Sequence, residues 1–289
     1  MTSHASPTSV QYQLAADVTV AGWQLASSHR SSPSVLALHG WLDNANSFLP
    51  LAHQLPELNW QSLDLAGHGH SSHRPAHSAY HFVDYVADLL QLCRQQQWQR
   101  QTLIGHSMGA MVASAFAAAF PEYVERLILI DAMGLMTTPS QDAAAQLRQG
   151  LLSRLQRDTK QMPSYPSLKA AAQARCKQSD FDEQTAMLLA QRGTAACGHG
   201  VTWRTDIRLR EVSAIRYSPE QVHAILQQIQ CPVLAVIATD GLSLTQQALK
   251  AYAQDVQHLK TVYLTGGHHL HMTNPVACAD AIRLFLQQN

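Results

Sequence analysis

The sequence predicts an α/β fold with a mostly parallel central sheet, helices on both faces of that sheet, and an inserted helical segment. Three observations predict it. Short apolar runs recur along the chain, and continuous runs of this length are typical of strands covered on both faces. A turn and then a helical pattern follow each run, and this alternation indicates a doubly wound sheet. The strand signal then disappears for roughly a hundred positions before it returns.

Six segments are predicted to be strands of this sheet. In chain order they are SVLALHG (34–40), WQSLDLAGHG (60–69), QTLIGHS (101–107), RLILIDA (126–132), PVLAVIATD (232–240) and KTVYLTGG (260–267). Between the second and third segments, YHFVDYVADLLQLCRQQQ places its apolar residues from Phe82 to Cys93 on one stripe. That spacing predicts an amphipathic helix.

The long stretch without strand signal is predicted to be a helical cap. A structureless loop of that length is improbable, and segments such as AAAQLRQGLLSRLQRD have leucines at helical spacing. We place the cap at residues 135–215, and the sheet domain at residues 1–134 and 216–289. Ser218 and Gln221 form an S-x-x-Q capping box, which predicts a helix that leads back to the next strand.

The composition excludes several classes of protein. A chain of 289 residues with 46% hydrophobic content can bury a sizeable core. Lys and Arg number 20, as do Asp and Glu, so no net charge attracts nucleic acid and no nucleic-acid partner is expected. The five cysteines are scattered, and no C-x-x-C occurs, which argues against a disulfide framework and against a thiolate zinc site.

The sequence also predicts a cytoplasmic protein with no membrane partner. The N-terminal residues MTSHASPTSVQYQL lack the basic and apolar regions of a secretory signal. The most apolar run, residues 110–120, is too short to span a bilayer. The oligomeric state is left open.

Ser107 is the predicted nucleophile. It lies at the centre of GHSMG, a G-x-S-x-G motif between a predicted strand and a predicted helix. That context is required because the serine adopts a strained backbone conformation that small neighbours tolerate, and Gly105 and Gly109 are small. The start of the following helix would also favour developing negative charge.

Acyl transfer further requires hydrogen-bond donors for the oxyanion. The segment LALHGWLDNANSF provides a loop directly after the first predicted sheet strand. The backbone N–H groups of Trp41 and Met108 are the predicted donors, because in this arrangement the residue after the nucleophile supplies one of the two.

These motifs resemble a known family. LALHGWLDNANSF, SLDLAGHGHSS, GHSMG and LILIDAMG are similar to segments of the α/β-hydrolase fold family, in particular its serine hydrolase-like esterase branch. The resemblance implies a Ser-Asp-His triad, a helical cap over the site, a small-molecule ester or related acyl substrate, and no cofactor. Dehalogenases and epoxide hydrolases of the family carry an aspartate as nucleophile, so Ser107 argues against both chemistries.

The resemblance also points to the base and the acid. The family has a glycine-histidine pair after its last strand, and in GGHHLHMTNP that pair is Gly267 and His268. Two aspartates end strands and are candidates for the acid. Asp131 is favoured, because some small esterases of the family carry the acid 24 residues after the serine, as here (131 minus 107). Asp240 is the alternative, although Ala238 replaces the glycine of the family's G-x-x-D pattern.

A metal-dependent hydrolase is the competing interpretation of the histidines. Residues 68–73, HGHSSH, approach the ligand pattern H-x-H-x-D-H, but Ser72 stands where the carboxylate is needed. The segment also resembles the family's D-x-x-G-H-G-x-S turn, so we expect a structural turn shaped by Asp64 and no metal. His269 and His271 are expected to pack or hydrogen-bond around the loop of His268.

The sequence therefore predicts a carboxylesterase for small to medium acyl esters that acts through an acyl-enzyme. The same triad would serve a thioesterase or a carbon–carbon bond hydrolase, and a non-hydrolytic receptor or signalling module on this fold would retain it. Phe48, Met133 and Met136 are predicted to line an apolar substrate pocket, with ordinary core or cap packing as the alternative for each.

Overall fold

An eight-stranded sheet forms the centre of the computed structural model, which describes residues 6–27, 34–157 and 161–288. A three-stranded sheet lies between its sixth and seventh strands in the chain. The strands are β1 (Thr8–Ala15), β2 (Val18–Leu25), β3 (Ser34–Leu38), β4 (Asn59–Leu63), β5 (Gln101–His106), β6 (Val124–Ile130), β7 (Ser164–Tyr165), β8 (Thr194–Cys197), β9 (Gly200–Trp203), β10 (Val233–Ala238) and β11 (Leu259–Leu264).

The large sheet has the order β1-β2-β4-β3-β5-β6-β10-β11. The pairs from β4 to β11 are parallel, and this confirms the predicted mostly parallel sheet and its six predicted strands. The antiparallel hairpin β1–β2, which pairs with β4 at the edge, was not predicted. Along β1 exposed and partly buried residues alternate, so this edge strand lacks the continuous apolar run by which the others were identified.

Ten helices flank or connect these strands in the described part of the chain. They are α1 (Leu49–Gln54), α2 (Phe82–Gln95), α3 (Met108–Ala119), α4 (Ala143–Leu155), α5 (Leu168–Cys176), α6 (Glu183–Gly193), α7 (Pro219–Leu226), α8 (Ser243–Tyr252), α9 (Leu270–Thr273) and α10 (Pro275–Leu286). Helices α2, α3, α7 and α8 contribute to one apolar cluster, and α1, α9 and α10 contribute to another.

The two clusters lie on opposite faces of the sheet, because successive residues of a strand point to opposite sides. Along β10, Val233, Ala235 and Ile237 belong to the first cluster. Leu234 and Val236, which alternate with them, belong to the second. Both faces of the sheet are therefore covered, as the continuous apolar runs predict.

The chain between β6 and β10 contains α4 to α7 and the sheet β7-β9-β8. The prediction of a purely helical segment was therefore incomplete, because three short antiparallel strands lie within it. Helix α7 begins as predicted, with Ser218 and Gln221 making both hydrogen bonds of the capping box. Among the described residues, no helix has the length and apolar character needed to cross a membrane.

Candidate active site

Ser107 lies in a strained turn between β5 and α3, with φ 52° and ψ −117°. Such a conformation is rare for a residue with a side chain. It persists because the flanking glycines allow very close packing: a Cβ on Gly109 would lie 2.0 Å from the carbonyl oxygen of Leu38, and one on Gly105 would lie 2.4 Å from the backbone of Ala110. The strand-turn-helix context predicted for Ser107 is therefore present.

His268 follows β11 and bridges two side chains. Its Nε2 lies 2.9 Å from Ser107 Oγ, and its Nδ1 lies 2.6 Å from Asp131 Oδ2. An ionised carboxylate only accepts hydrogen bonds, so Nδ1 carries the proton in the neutral ring and donates it to Asp131. Nε2 then presents its lone pair to the Ser107 hydroxyl, the tautomer that a general base requires.

Asp131 comes directly after β6 and is fully buried, with φ 43°. Its Oδ1 accepts a hydrogen bond from the backbone N–H of Ala238 at 3.1 Å, which leaves Oδ2 for His268. Asp240 is exposed, and its carboxylate accepts a hydrogen bond from the hydroxyl of Thr239. The structure thus brings Asp131 to His268 and places Asp240 in the neighbouring turn.

Trp41 and Met108 lie on adjacent segments. Gly109, in the first turn of α3, packs against the carbonyl groups that end β3, and Trp41 is in the turn that follows β3. The amide of Met108 is one of the first four of α3, which have no acceptor inside the helix. The location is consistent with the predicted oxyanion donors, whose role remains a prediction.

The predicted pocket residues differ in burial. Phe48 has no exposed surface and packs 6.5 Å from Trp60, ring centre to ring centre, and Met133 is 2% exposed. Both belong to core clusters, which is the core packing stated as the alternative, and their contact with substrate stays a prediction. Met136 is 41% exposed, and its contact with substrate stays a prediction.

An apolar cavity of about 500 Å³ lies between α2, α3 and α7. Ala118, which lines it, is 11 residues beyond Ser107, about 16 Å along α3. This cavity is therefore separate from the cluster of Ser107, His268 and Asp131.

Three further histidines surround His268. The ring of His106 lies 4.6 Å from that of His268, 5.0 Å from that of His269 and 4.2 Å from that of His271. Burial is the main cause that lowers the pKa of His106 well below its ordinary range, and it lowers the pKa of His271 to about 3. Both rings are therefore neutral, which agrees with the expected packing role of His271.

His269 differs from them because it contacts two carboxylates. Its Nδ1 hydrogen-bonds to Asp180, and its Nε2 lies 3.5 Å from Asp43 Oδ2. Although burial opposes the shift, the charge of Asp43 and the hydrogen bond to Asp180 raise the pKa of His269 to about 9. Asp43 in turn receives a hydrogen bond from Arg175 at 2.7 Å. Asp43, His106, Arg175 and Asp180 were not predicted to be site residues. Asp43 and His106 lie within recognised motifs, but nothing local in the sequence links them to Arg175 and Asp180.

The turn after β4 is built around Asp64, as expected. Its buried carboxylate accepts hydrogen bonds from the backbone N–H groups of Ala45 and His70 and from Arg192 of α6. His68 uses both ring nitrogens in hydrogen bonds to backbone groups of Leu42 and Ala66. The residues that resembled a metal-binding motif thus form a structural turn.

The segment between β6 and β10 binds the loop after β3 at successive residues. Trp41 Nε1 donates to the carbonyl of Leu209, and Asn44 Nδ2 donates to the carbonyl of Leu189. Between these two, Asp43 pairs with Arg175. The loop that carries the predicted Trp41 donor is therefore held by three separate parts of that segment.

Comparisons with known proteins agree with this architecture. A family model described as alpha/beta hydrolase fold matches residues 33–275. A serine hydrolase-like protein of Danio rerio is 34% identical over 265 residues, which cover 88% of this chain and 81% of that protein.

Two solved structures are also similar. The hypothetical protein PA1622 from Pseudomonas aeruginosa PAO1 has a TM-score of 0.90 at 35% identity, covering 97% of this chain and 99% of that one. A thioesterase domain from the curacin biosynthetic pathway has a TM-score of 0.82 at 26% identity, covering 98% and 100%. Sequence motifs, sheet order and these similarities agree, and the chain belongs to the α/β-hydrolase fold family, among the serine hydrolase-like proteins.

Proposed function

We propose that this protein is a carboxylesterase that cleaves small to medium acyl esters with Ser107 as nucleophile, His268 as base and Asp131 as acid. The observation that carries the proposal is the pair of hydrogen bonds from His268, at 2.9 Å to Ser107 Oγ and 2.6 Å to Asp131 Oδ2. Nucleophile, base and orienting acid in hydrogen-bond contact are the signature of covalent acyl transfer.

In the proposed reaction, His268 Nε2 takes the proton of Ser107 as Oγ attacks the ester carbonyl carbon. The resulting imidazolium is stabilised by Asp131, which is fully buried and hydrogen-bonded to Nδ1 of His268. Collapse of the tetrahedral intermediate breaks the bond to the alkoxide, which leaves with the proton from His268. Water, deprotonated by the same base, then hydrolyses the acyl-enzyme and restores Ser107.

The negative charge of the tetrahedral intermediate requires stabilisation. The amides of Met108 and Trp41 are the proposed donors, and the start of α3 adds the positive end of a helix dipole. Removal of one such donor typically lowers kcat by about 10²–10³-fold.

Thioester hydrolysis is a second candidate for the same residues. The observation in its favour is the similarity to the thioesterase domain, at 26% identity over nearly the whole chain. Chemically the two reactions share the attack and the oxyanion and differ in the leaving group, which is a thiolate in one and an alkoxide in the other. Parallel assays with p-nitrophenyl butyrate and butyryl-coenzyme A separate them, and the proposal requires the larger kcat/KM with the oxygen ester.

The nucleophile is tested by labelling with a fluorophosphonate and mapping the modified peptide. We expect modification of Ser107, and Ser107→Ala should lose labelling and lower ester turnover by about 10⁶-fold. Ser114→Ala is the matched control, because Ser114 lies in α3, the helix that follows Ser107, and its hydroxyl donates to the carbonyl of Ala110 at 2.8 Å. Modification of another residue, or turnover that persists in Ser107→Ala, would overturn the proposal. A non-hydrolytic receptor would bind ligands of this class without comparable turnover.

A further inference from the structure

We propose that Asp43, His106 and His269 form a binding site for one divalent transition-metal ion, of the Zn²⁺ or Co²⁺ class, beside the triad. The ligand atoms of these three residues lie within 4.8 Å of one another, and all three side chains are buried. The site is distinct from the histidines at 68–73. It also departs from the sequence-based expectation of no metal.

Two of the three separations between ligand atoms are close to those around a tetrahedral ion. Asp43 Oδ2 lies 3.7 Å from His106 Nδ1 and 3.5 Å from His269 Nε2. With bonds of about 2.0–2.2 Å, two ligands of a tetrahedral zinc ion are roughly 3.3–3.6 Å apart. Only small movements would therefore bring these atoms to bonding distance of one ion. Two imidazole nitrogens and one carboxylate oxygen are a ligand set that zinc accepts, with a fourth position left for water.

The protonation states leave two lone pairs facing each other. His106 Nε2 lies 2.8 Å from the carbonyl oxygen of His268, which can only accept, so Nε2 carries the ring proton. His106 Nδ1 is then an acceptor, and it faces Asp43 Oδ2, which is also an acceptor. Neither atom has a well-formed hydrogen bond among the residues that the structure describes, and the ring of His269 approaches Oδ2 only to 3.5 Å. Buried acceptors without donors are unfavourable, and a cation between them would remove that cost.

The surrounding contacts orient the proposed ligands. His269 Nδ1 hydrogen-bonds to the carboxylate of Asp180, and His106 Nε2 donates to a backbone carbonyl. A metal-binding histidine commonly donates its second ring N–H to a carboxylate or carbonyl, which fixes the ring and the tautomer. Arg175 donates to Asp43 Oδ1, so the opposite oxygen, Oδ2, remains for the ion.

The local charges also favour a cation at this place. The carboxylates of Asp43 and Asp180 lie against opposite ring nitrogens of His269 and favour a positive charge between them. A metal ion bound at Nε2 in place of a proton would provide that positive charge. The positive charge of Arg175, which pairs with Asp43, repels a metal cation and should lower the affinity of the site for it.

The test measures metal binding to the chelator-treated full-length protein. We expect one equivalent of Zn²⁺ in a competition titration against a chromophoric chelator, and a visible d–d absorption when Co²⁺ is bound. His269→Gln removes a ligand and should weaken binding by more than tenfold. Asp180→Asn should weaken it by about 10–100-fold through the loss of the orienting carboxylate.

The matched control is His223→Gln. His223 lies in α7, away from the proposed site, and its Nδ1 is likewise paired with a carboxylate, at 2.6 Å from Asp255 Oδ2. The control variant should bind Zn²⁺ like the wild type. Absence of binding at micromolar free Zn²⁺ would overturn the proposal, and so would unchanged affinity in His269→Gln. If circular dichroism shows that His269→Gln is unfolded, unchanged affinity in Asp180→Asn decides against the site. None of these readouts depends on ester hydrolysis.

Discussion

Replacement of Gly109 by alanine should displace the nucleophile without removing any functional group. The added Cβ would lie 2.0 Å from the carbonyl oxygen of Leu38, and real Cβ atoms come no closer than about 3.0 Å, so α3 or β3 must move by at least 1.0 Å. Because the obstacle is backbone in the centre of the sheet, we expect the first turn of α3 to move and to carry Ser107 with it. A misplacement of this size lowers rates by about 10²-fold, which corresponds to about 2.7 kcal/mol of activation free energy.

The assay compares kcat for p-nitrophenyl esters and the rate of fluorophosphonate labelling in Gly109→Ala with those of the wild type. Gly200→Ala is the control, because its Cβ would lie 2.1 Å from the carbonyl oxygen of Tyr165, a similar collision within the three-stranded sheet. Each variant should lose about 1–3 kcal/mol of unfolding free energy through overpacking, and only Gly109→Ala should lose activity per folded molecule. A folded Gly109→Ala protein with wild-type kcat would refute the reasoning.

Three further predictions concern the acid, a buried ion pair and a helix cap. Asp131→Asn should lower kcat by about 10⁴-fold by stabilising the wrong histidine tautomer, whereas Asp240→Asn should leave ester turnover near the wild-type rate; the reverse result would reassign the acid. Arg192→Met should lower the free energy of unfolding, measured in urea, by about 3–5 kcal/mol, because it leaves the fully buried carboxylate of Asp64 without its cation. Arg283→Met, which breaks a more exposed pair with Glu57, should lower it by less than about 1 kcal/mol. Ser218→Ala should lose about 1 kcal/mol in the same assay, and an unchanged midpoint would show that the capping box adds no stability.

The strands and the nucleophile turn were predictable because their signals are local. Continuous apolar runs identify buried strands, and the spacing of Gly105, Ser107 and Gly109 identifies a turn that needs small neighbours. The capping box at Ser218 is likewise contained within four residues. In each case the residues that interact are close in sequence.

The choice between Asp131 and Asp240 shows where local signals end. The two residues follow β6 and β10, which are neighbours in the parallel sheet, so both lie near the same edge of it. The conformations of the turns after β6 and after β10 decide which of the two carboxylates reaches His268. Asp131 has a positive φ, and the backbone N–H of Ala238 holds its carboxylate. Family resemblance favoured the residue that the structure places beside His268, but periodicity alone did not.

The cluster of Asp43, His106, Asp180 and His269 was not predictable for a different reason. Its members come from four segments separated by 63, 74 and 89 positions (106 minus 43, 180 minus 106, 269 minus 180). The first, second and fourth meet through the order of the sheet strands, and Asp180 joins them when the chain between β6 and β10 packs on the sheet domain. Burial of charged and polar groups at such a junction leaves no periodic pattern in the sequence.

The three attachments of the loop after β3 have a consequence for substrate entry. Trp41, Asp43 and Asn44 are each bonded to the segment between β6 and β10. A rigid-body movement of that segment away from the sheet must either break all three attachments or move the loop with it. Opening that moves the loop would also displace the backbone N–H of Trp41, the proposed oxyanion donor, whereas opening that leaves the loop in place would cost the bonds of Trp41, Asp43 and Asn44 to that segment.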